Sequence, residues 1–110
     1  TYLNRAKAFR KAGQNDKAIA DLDKALQIAP GYADAYNERG NLYGNLGYFD
    51  KSLADYIQYV NLRPDDPIGY FYRGQAYYFT GNKLAACNDI RKAADMKLPE
   101  AQAKLREICM

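Results

Sequence analysis

The sequence contains no histidine and no tryptophan, one serine (Ser52), two threonines (Thr1, Thr80) and two cysteines (Cys87, Cys109). A Ser–His–acid triad or a Cys–His pair cannot be built without histidine. A zinc site of the common kind needs three or four Cys/His ligands, and only two candidates exist. No metal and no cofactor is therefore expected. Acid–base chemistry by carboxylates alone has no obvious seat, because the acids stand at repeating or capping positions and none forms an isolated pair. The expectation is a protein that is not an enzyme. No run approaches the roughly 18 consecutive apolar residues of a membrane span, so membrane insertion is not expected. There is no secretory h-region either. The chain starts at Thr1 rather than Met and reads as a fragment or a processed product. A cytoplasmic location is the expectation, with a removed signal peptide as the alternative.

What is present is ample material for a core. Hydrophobic residues make up 48% of the 110 residues, charged residues 26%, and aromatics 14%. That excess of buriable side chains argues against disorder and fits one soluble domain. The net charge of +3 is too mild to indicate nucleic acid. Its distribution is uneven: residues 1–32 carry six Lys/Arg and three Asp/Glu, 33–66 three and six, 67–110 seven and four. The acidic centre would repel a continuous phosphate backbone. It can attract a complementary ligand, but the preferred reading is attraction between neighbours along a stack, or chance. Two cysteines do not make a disulfide framework, and free thiols are expected. Pairing of Cys87 with Cys109 requires the last helix to pack back on its predecessor.

The sequence repeats with a period of 34 residues, and 110 divided by 34 is 3.2. Tyr2, Tyr36 and Tyr70 stand in register, as do Arg5, Arg39 and Arg73. Ala6, Gly40 and Gly74 follow, then Phe9, Tyr43 and Tyr77, then Gly13, Gly47 and Gly81. Ala18, Ser52 and Ala86 match, then Asp21, Asp55 and Asp89, then Leu22, Tyr56 and Ile90. Pro30 and Pro64 match, with Pro99 displaced by one. A fixed period of this kind marks a repeat array.

Each repeat carries two helical stripes. Tyr36, Gly40, Tyr43 and Gly47 are spaced 4, 3 and 4. Gly13, Gly47 and Gly81 end the first helices, and Pro64 stops a second one. Asp66 reads as an N-cap ahead of Pro67, and Asp16 and Asn82 as caps of second helices. The expected helices are 2–13, 16–29, 33–46, 49–62, 67–80, 83–96 and 99–109. Small residues (Ala6, Gly40, Gly74; Ala18, Ser52, Ala86) let helix axes approach, and the Tyr/Phe positions supply bulk.

The run Tyr36, Arg39, Gly40, Tyr43, continued by Gly47, Ser52, Tyr56 and Pro64, resembles the tetratricopeptide repeat (TPR) family. The resemblance covers nearly the whole chain in three copies: 1–32, 33–66 and 67–100, with a capping helix over 99–110. It departs at Tyr59, where Ala25 and Ala93 stand in the other copies, and in placing Arg where the family favours Leu. It implies a single all-α domain of about seven helices, an α-solenoid of antiparallel helix pairs wound as a right-handed superhelix. The recurring Arg5/Asp21, Arg39/Asp55 and Arg73/Asp89 read either as a rail of arginines for anions or, preferably, as structural pairs between the two helices.

The resemblance also implies a concave groove lined by the first helix of each copy. That face offers Leu3, Asn4, Lys7 and Arg10, then Asn37, Glu38, Asn41 and Asn45, then Phe71, Tyr72, Gln75 and Phe79. Phe71, Tyr72, Tyr78 and Phe79 make the third such helix aromatic nearly all round. This surplus either contacts a ligand or is covered by the last helix. The family's clamp for the C-terminal carboxylate of chaperones needs Lys, Asn and Arg where this chain has Leu3, Lys7, Glu38, Ile68 and Tyr72, so a chaperone-tail adaptor is not expected. Asn amides beside aromatic rings suit another protein or an extended peptide. The leading expectation is a non-catalytic interaction scaffold, and the alternative is self-assembly into homo-oligomers through open array ends.

Overall fold

The computed structural model describes residues 1–109. Seven α-helices account for the ordered elements: α1 (Tyr2–Lys11), α2 (Asn15–Ile28), α3 (Ala33–Asn45), α4 (Phe49–Leu62), α5 (Pro67–Phe79), α6 (Lys83–Asp95) and α7 (Pro99–Ile108). They pair as hairpins α1–α2, α3–α4 and α5–α6, stacked in chain order with α7 against α6, in a body of 41 × 25 × 21 Å. This is an all-α solenoid. Among the described residues no helix is long and apolar enough to cross a membrane.

The turns explain the repeated glycines. Gly13, Gly47 and Gly81 have φ of 79°, 86° and 92°, a conformation that carries no penalty only for glycine. It lets Gln14 N–H reach Phe9 O, Tyr48 N–H reach Tyr43 O and Asn82 N–H reach Tyr77 O, satisfying carbonyls at each helix end. Asn82 and Asp66 cap as expected, accepting from Ala85 N and Ile68 N. Asp16 does not. Helix α2 begins one residue earlier, at Asn15, which places Asp16 inside the first turn.

Between hairpins the prolines act through their carbonyls: Tyr36 and Tyr70 hydroxyls donate to Pro30 O and Pro64 O, each at 3.0 Å. Pro99 is not a displaced copy of Pro64. It opens α7 as Pro67 opens α5. The preceding turn is short because Lys97 takes φ of 73°, a left-handed position filled by glycine at the other αL turns.

The deepest side chains are Leu22, Tyr56 and Ile90, three residues in the 34-residue register, together with Leu42. Tyr56 and Ile90 lie against the small residue of the preceding helix. A Cβ on Gly40 would stand 2.7 Å from Tyr56 Cε2, and one on Gly74 2.8 Å from Ile90 Cγ1. The Tyr stripe on the first helices is not the deep core. Tyr36, Tyr43, Tyr70 and Tyr77 are half-buried and flank Arg39 and Arg73, whose guanidinium carbons lie 5.6–6.0 Å from their ring centroids. Cys87 and Cys109 are bonded to each other, with Cα atoms 5.7 Å apart. This corrects the expectation of free thiols. Helix α7 does pack back on α6, and the periodicity carries no signal for that packing.

Candidate functional site

The recurring arginines and aspartates occupy one edge of each hairpin. Arg5 Nη2 donates to Asp21 at 2.7 Å, Arg39 Nε and Nη2 to Asp55 at 2.9 and 2.7 Å, and Arg73 Nε and Nη2 to Asp89 at 2.7 Å. The two-pronged geometry fixes helix register as well as charge balance. Arg39 alone reaches across to the preceding hairpin, donating to Asp23 at 2.8 Å. The hydrogen bond from Arg5 holds the Asp21 carboxyl below its ordinary range. Burial pushes the Asp55 carboxyl up, while its bond to Arg39 pulls it back. With their donors committed to aspartates, these arginines do not form an open anion rail.

A small pocket of about 180 Å³ lies between α3, α4 and α5. Gly40, Gly44 and Ala76 leave the space, Asn41, Asn45 and Gln75 ring it with amides, and Tyr56, Tyr72, Phe49 and Phe79 supply the aromatic walls. None of its lining residues is charged. Ser52 Oγ donates to Gly40 O at 2.8 Å and seals the floor. Tyr72 stacks on Tyr56 with centroids 5.4 Å apart, and Phe49 stacks on Phe79 at 4.6 Å.

Tyr56 organises the polar side of the pocket. Its ring passes under α3 where Gly40 has no side chain, and its hydroxyl donates to Asn41 Oδ1 at 2.6 Å. Asn37 O and Oδ1 lie 3.1 Å away as further acceptors. Burial raises the Tyr56 hydroxyl far above the ordinary phenol range, so its proton stays in place. A permanent donor fixes the Asn41 carbonyl inward and leaves its NH₂ for other acceptors. Tyr59, its neighbour at 6.4 Å, donates to Asp66 at 2.6 Å and is pushed up to about 12, chiefly by burial.

The expected groove residues divide. Asn41, Asn45, Tyr72, Gln75 and Phe79 line the pocket, and Asn37 sits beside it as an acceptor for Tyr56. Three others do not face it freely. Phe71 is 6% exposed and packs with Ile90, Ala93, Ala94 and Ala101 beneath α7. Leu3 is buried with Ala35 and Leu42. Glu38 is 8% exposed, and its carboxylate accepts from Arg10 Nε across the α1–α3 junction. The aromatic surplus of α5 is thus split: α7 covers Phe71, while Tyr78 and Phe79 remain 41% and 59% exposed. Periodicity missed Phe49, Ser52 and Tyr56 as pocket residues because they belong to α4. A hydroxyl at Tyr56, where Leu22 and Ile90 stand in register, was the available sign that an acceptor lay opposite.

A family model described as "TPR repeat" matches residues 6–47, and one described as "Tetratricopeptide repeat" matches residues 33–66. Tetratricopeptide repeat protein 13 of Homo sapiens is 29% identical over 88% of this chain and 11% of its own length. Hsc70-interacting protein 1 of Drosophila melanogaster is 32% identical over 87% of this chain and 26% of its own. The chain therefore spans about a tenth to a quarter of these curated relatives. The first TPR of Spaghetti (RPAP3), solved bound to the HSP90 peptide SRMEEVD, superposes with a TM-score of 0.91 over 98% of this chain and 87% of that one, at 23% identity. With the 34-residue register, the stacked hairpins and these matches agreeing, the chain belongs to the tetratricopeptide repeat family.

Proposed function

We propose that the chain is a non-catalytic interaction scaffold that holds an extended peptide of a partner protein in the concave groove between α3 and α5. Its repeats are 1–32, 33–66 and 67–100, with α7 packed on the last of them. The observation that carries this reading is the uncharged pocket in which Tyr56 turns the Asn41 amide outward beside Tyr72 and Phe79. Amides there bond a peptide backbone, and the rings take an apolar side chain. Asn37, Asn45 and Gln75 extend the amide row. The relatives, named for Hsc70 interaction or solved on a chaperone peptide, favour this reading over self-assembly.

They also correct one exclusion. The residues at the clamp positions argued against chaperone tails, yet a neighbour with the same fold is solved on an HSP90 peptide. Chaperone tails therefore belong among the ligands tested. A cytoplasmic location goes with this reading only if the Cys87–Cys109 bond is held reduced there.

Fluorescence anisotropy with labelled SRMEEVD and with a neutral, leucine-containing peptide tests the site. Tyr72→Ala and Gln75→Ala are each expected to weaken whichever peptide binds by about tenfold. Gln75→Ala is the cleaner variant, since Asn41→Ala also strips the Tyr56 hydroxyl of its nearest acceptor. Unchanged affinity in both variants would remove the ligand from this groove.

A further inference from the structure

Helix α7 is anchored unevenly. Its first half begins at Pro99, buries Ala101 completely, and lets Gln102 Nε2 donate to Ala94 O at 3.3 Å. Its last turn has half-buried Leu105 and Ile108 against the α5–α6 face, and among the described residues Lys104 pairs within its own helix, with Glu107 at 3.4 Å. The covalent tether for that turn is Cys109, bonded to Cys87 of α6. Neither cysteine is fully buried, and access is one condition for attack by a thiolate. The same turn supplies Lys104, Glu107 and Ile108 as one wall of a cleft of about 360 Å³, faced by Gln75, Tyr78 and Phe79 of α5. Gln75 and Phe79 also line the central pocket.

We propose that Cys87–Cys109 is a reversible latch that sets whether the last turn of α7 closes the α5–α7 cleft. A dithiol reductant opens it. One thiolate attacks a cystine sulfur, the Sγ–Sγ bond breaks, and the second thiolate resolves the mixed disulfide. The reductant leaves as a disulfide, and Cys87 and Cys109 each gain one electron and one proton. With the bond broken, residues 104–109 fray while residues 99–103 stay docked through Ala101 and Gln102. The wall beside Gln75 and Phe79 is then lost. Oxidation restores it. The latch does not depend on any ligand, so it stands or falls apart from the groove reading.

Amide hydrogen exchange read by mass spectrometry on the 110-residue chain tests this, in oxidised form, after dithiothreitol, and as Cys109→Ser. Exchange over 104–109 is expected to accelerate by about tenfold or more on reduction, to return with oxidised glutathione, and to be fast in Cys109→Ser without reagent. Exchange over 33–62 is expected to stay unchanged. Protection of 104–109 that survives reduction overturns the proposal, as does acceleration across the whole chain, or a bond that excess dithiothreitol leaves intact in the folded protein.

Discussion

Replacing Arg39 with Ala isolates the energetics of the hairpin edge. Asp55 is 3% exposed, and its carboxylate oxygens accept from Arg39 Nε and Nη2 at 2.9 and 2.7 Å. The variant leaves that carboxylate buried without its cation. Stripping one partner from a buried pair costs about 3–5 kcal/mol. The Arg39 side chain is 21% exposed, so water screens part of the loss and the lower end, about 3 kcal/mol, applies. The third bond, to Asp23, adds little because that carboxylate's side chain is 56% exposed. For a domain of this size each kcal/mol moves the melting temperature by roughly 4–8 °C, so a fall of at least about 12 °C is expected. The deficit also depends on pH. Burial already raises Asp55, and losing Arg39 raises it further. A carboxyl with a raised folded pKa contributes stability that is full below the unfolded value of about 3.9 and is lost as pH rises through the folded value. The variant's deficit is therefore largest near neutral pH and shrinks toward pH of about 4. Urea unfolding followed by circular dichroism measures it, and adding Asp55→Leu is expected to recover part of the loss. A deficit below about 1 kcal/mol at neutral pH, the size of a surface pair, would refute the reasoning. So would a deficit independent of pH.

Three further outcomes follow from the same geometry. Gly74→Ala places a Cβ 3.0 Å from the Ala86 carbonyl oxygen, a backbone atom that cannot swing away. The overpacking cost of roughly 1–3 kcal/mol exceeds the helix-propensity gain of about 1 kcal/mol, and calorimetry is expected to show a lower melting temperature. Lys97→Gly relieves a left-handed lysine and is expected to stabilise by about 1 kcal/mol in urea unfolding; a loss of stability would count against strain at that turn. Carbon-detected NMR titration is expected to find Asp21 below and Asp55 above the ordinary carboxyl range. Asp21 thus contributes stability above the unfolded value that is lost as pH falls through its folded value. The reverse order for the two would overturn the causes given for both.

Local chemistry was the most legible part of the sequence. Helix spans followed from glycines that need positive φ and from prolines that cannot continue a helix, and neither depends on what packs nearby. Burial depended on it. Phe71 and Tyr72 are adjacent and equally aromatic, and only the seat of α7 decides that one is core and the other groove. Glu38 read as a groove acid because its partner Arg10 lies 28 residues away on another hairpin, off the repeat register. The Tyr56 network crosses from α4 to α3, and the Cys87–Cys109 bond exists only after α7 has docked. The turn at Lys97 was silent for a different reason: a glycine-like conformation carried by a non-glycine leaves no trace in composition.

The two joints of the stack are made of different materials. Beside the buried packing of Leu3 with Ala35 and Leu42, the first hairpin is tied to the second by ions, Arg39 to Asp23 and Arg10 to Glu38. One period later Arg73 keeps the place of Arg39, but Ile57, Gly44 and Tyr72 stand where Asp23, Arg10 and Glu38 were, and the second hairpin meets the third through the stacked rings of Tyr56 with Tyr72 and Phe49 with Phe79. Salt screens the first kind of bond and leaves the second almost untouched. Rising ionic strength therefore weakens the ion pairs of the first joint, which keeps its buried packing of Leu3 with Ala35 and Leu42, and leaves the ring stacks of the second unchanged.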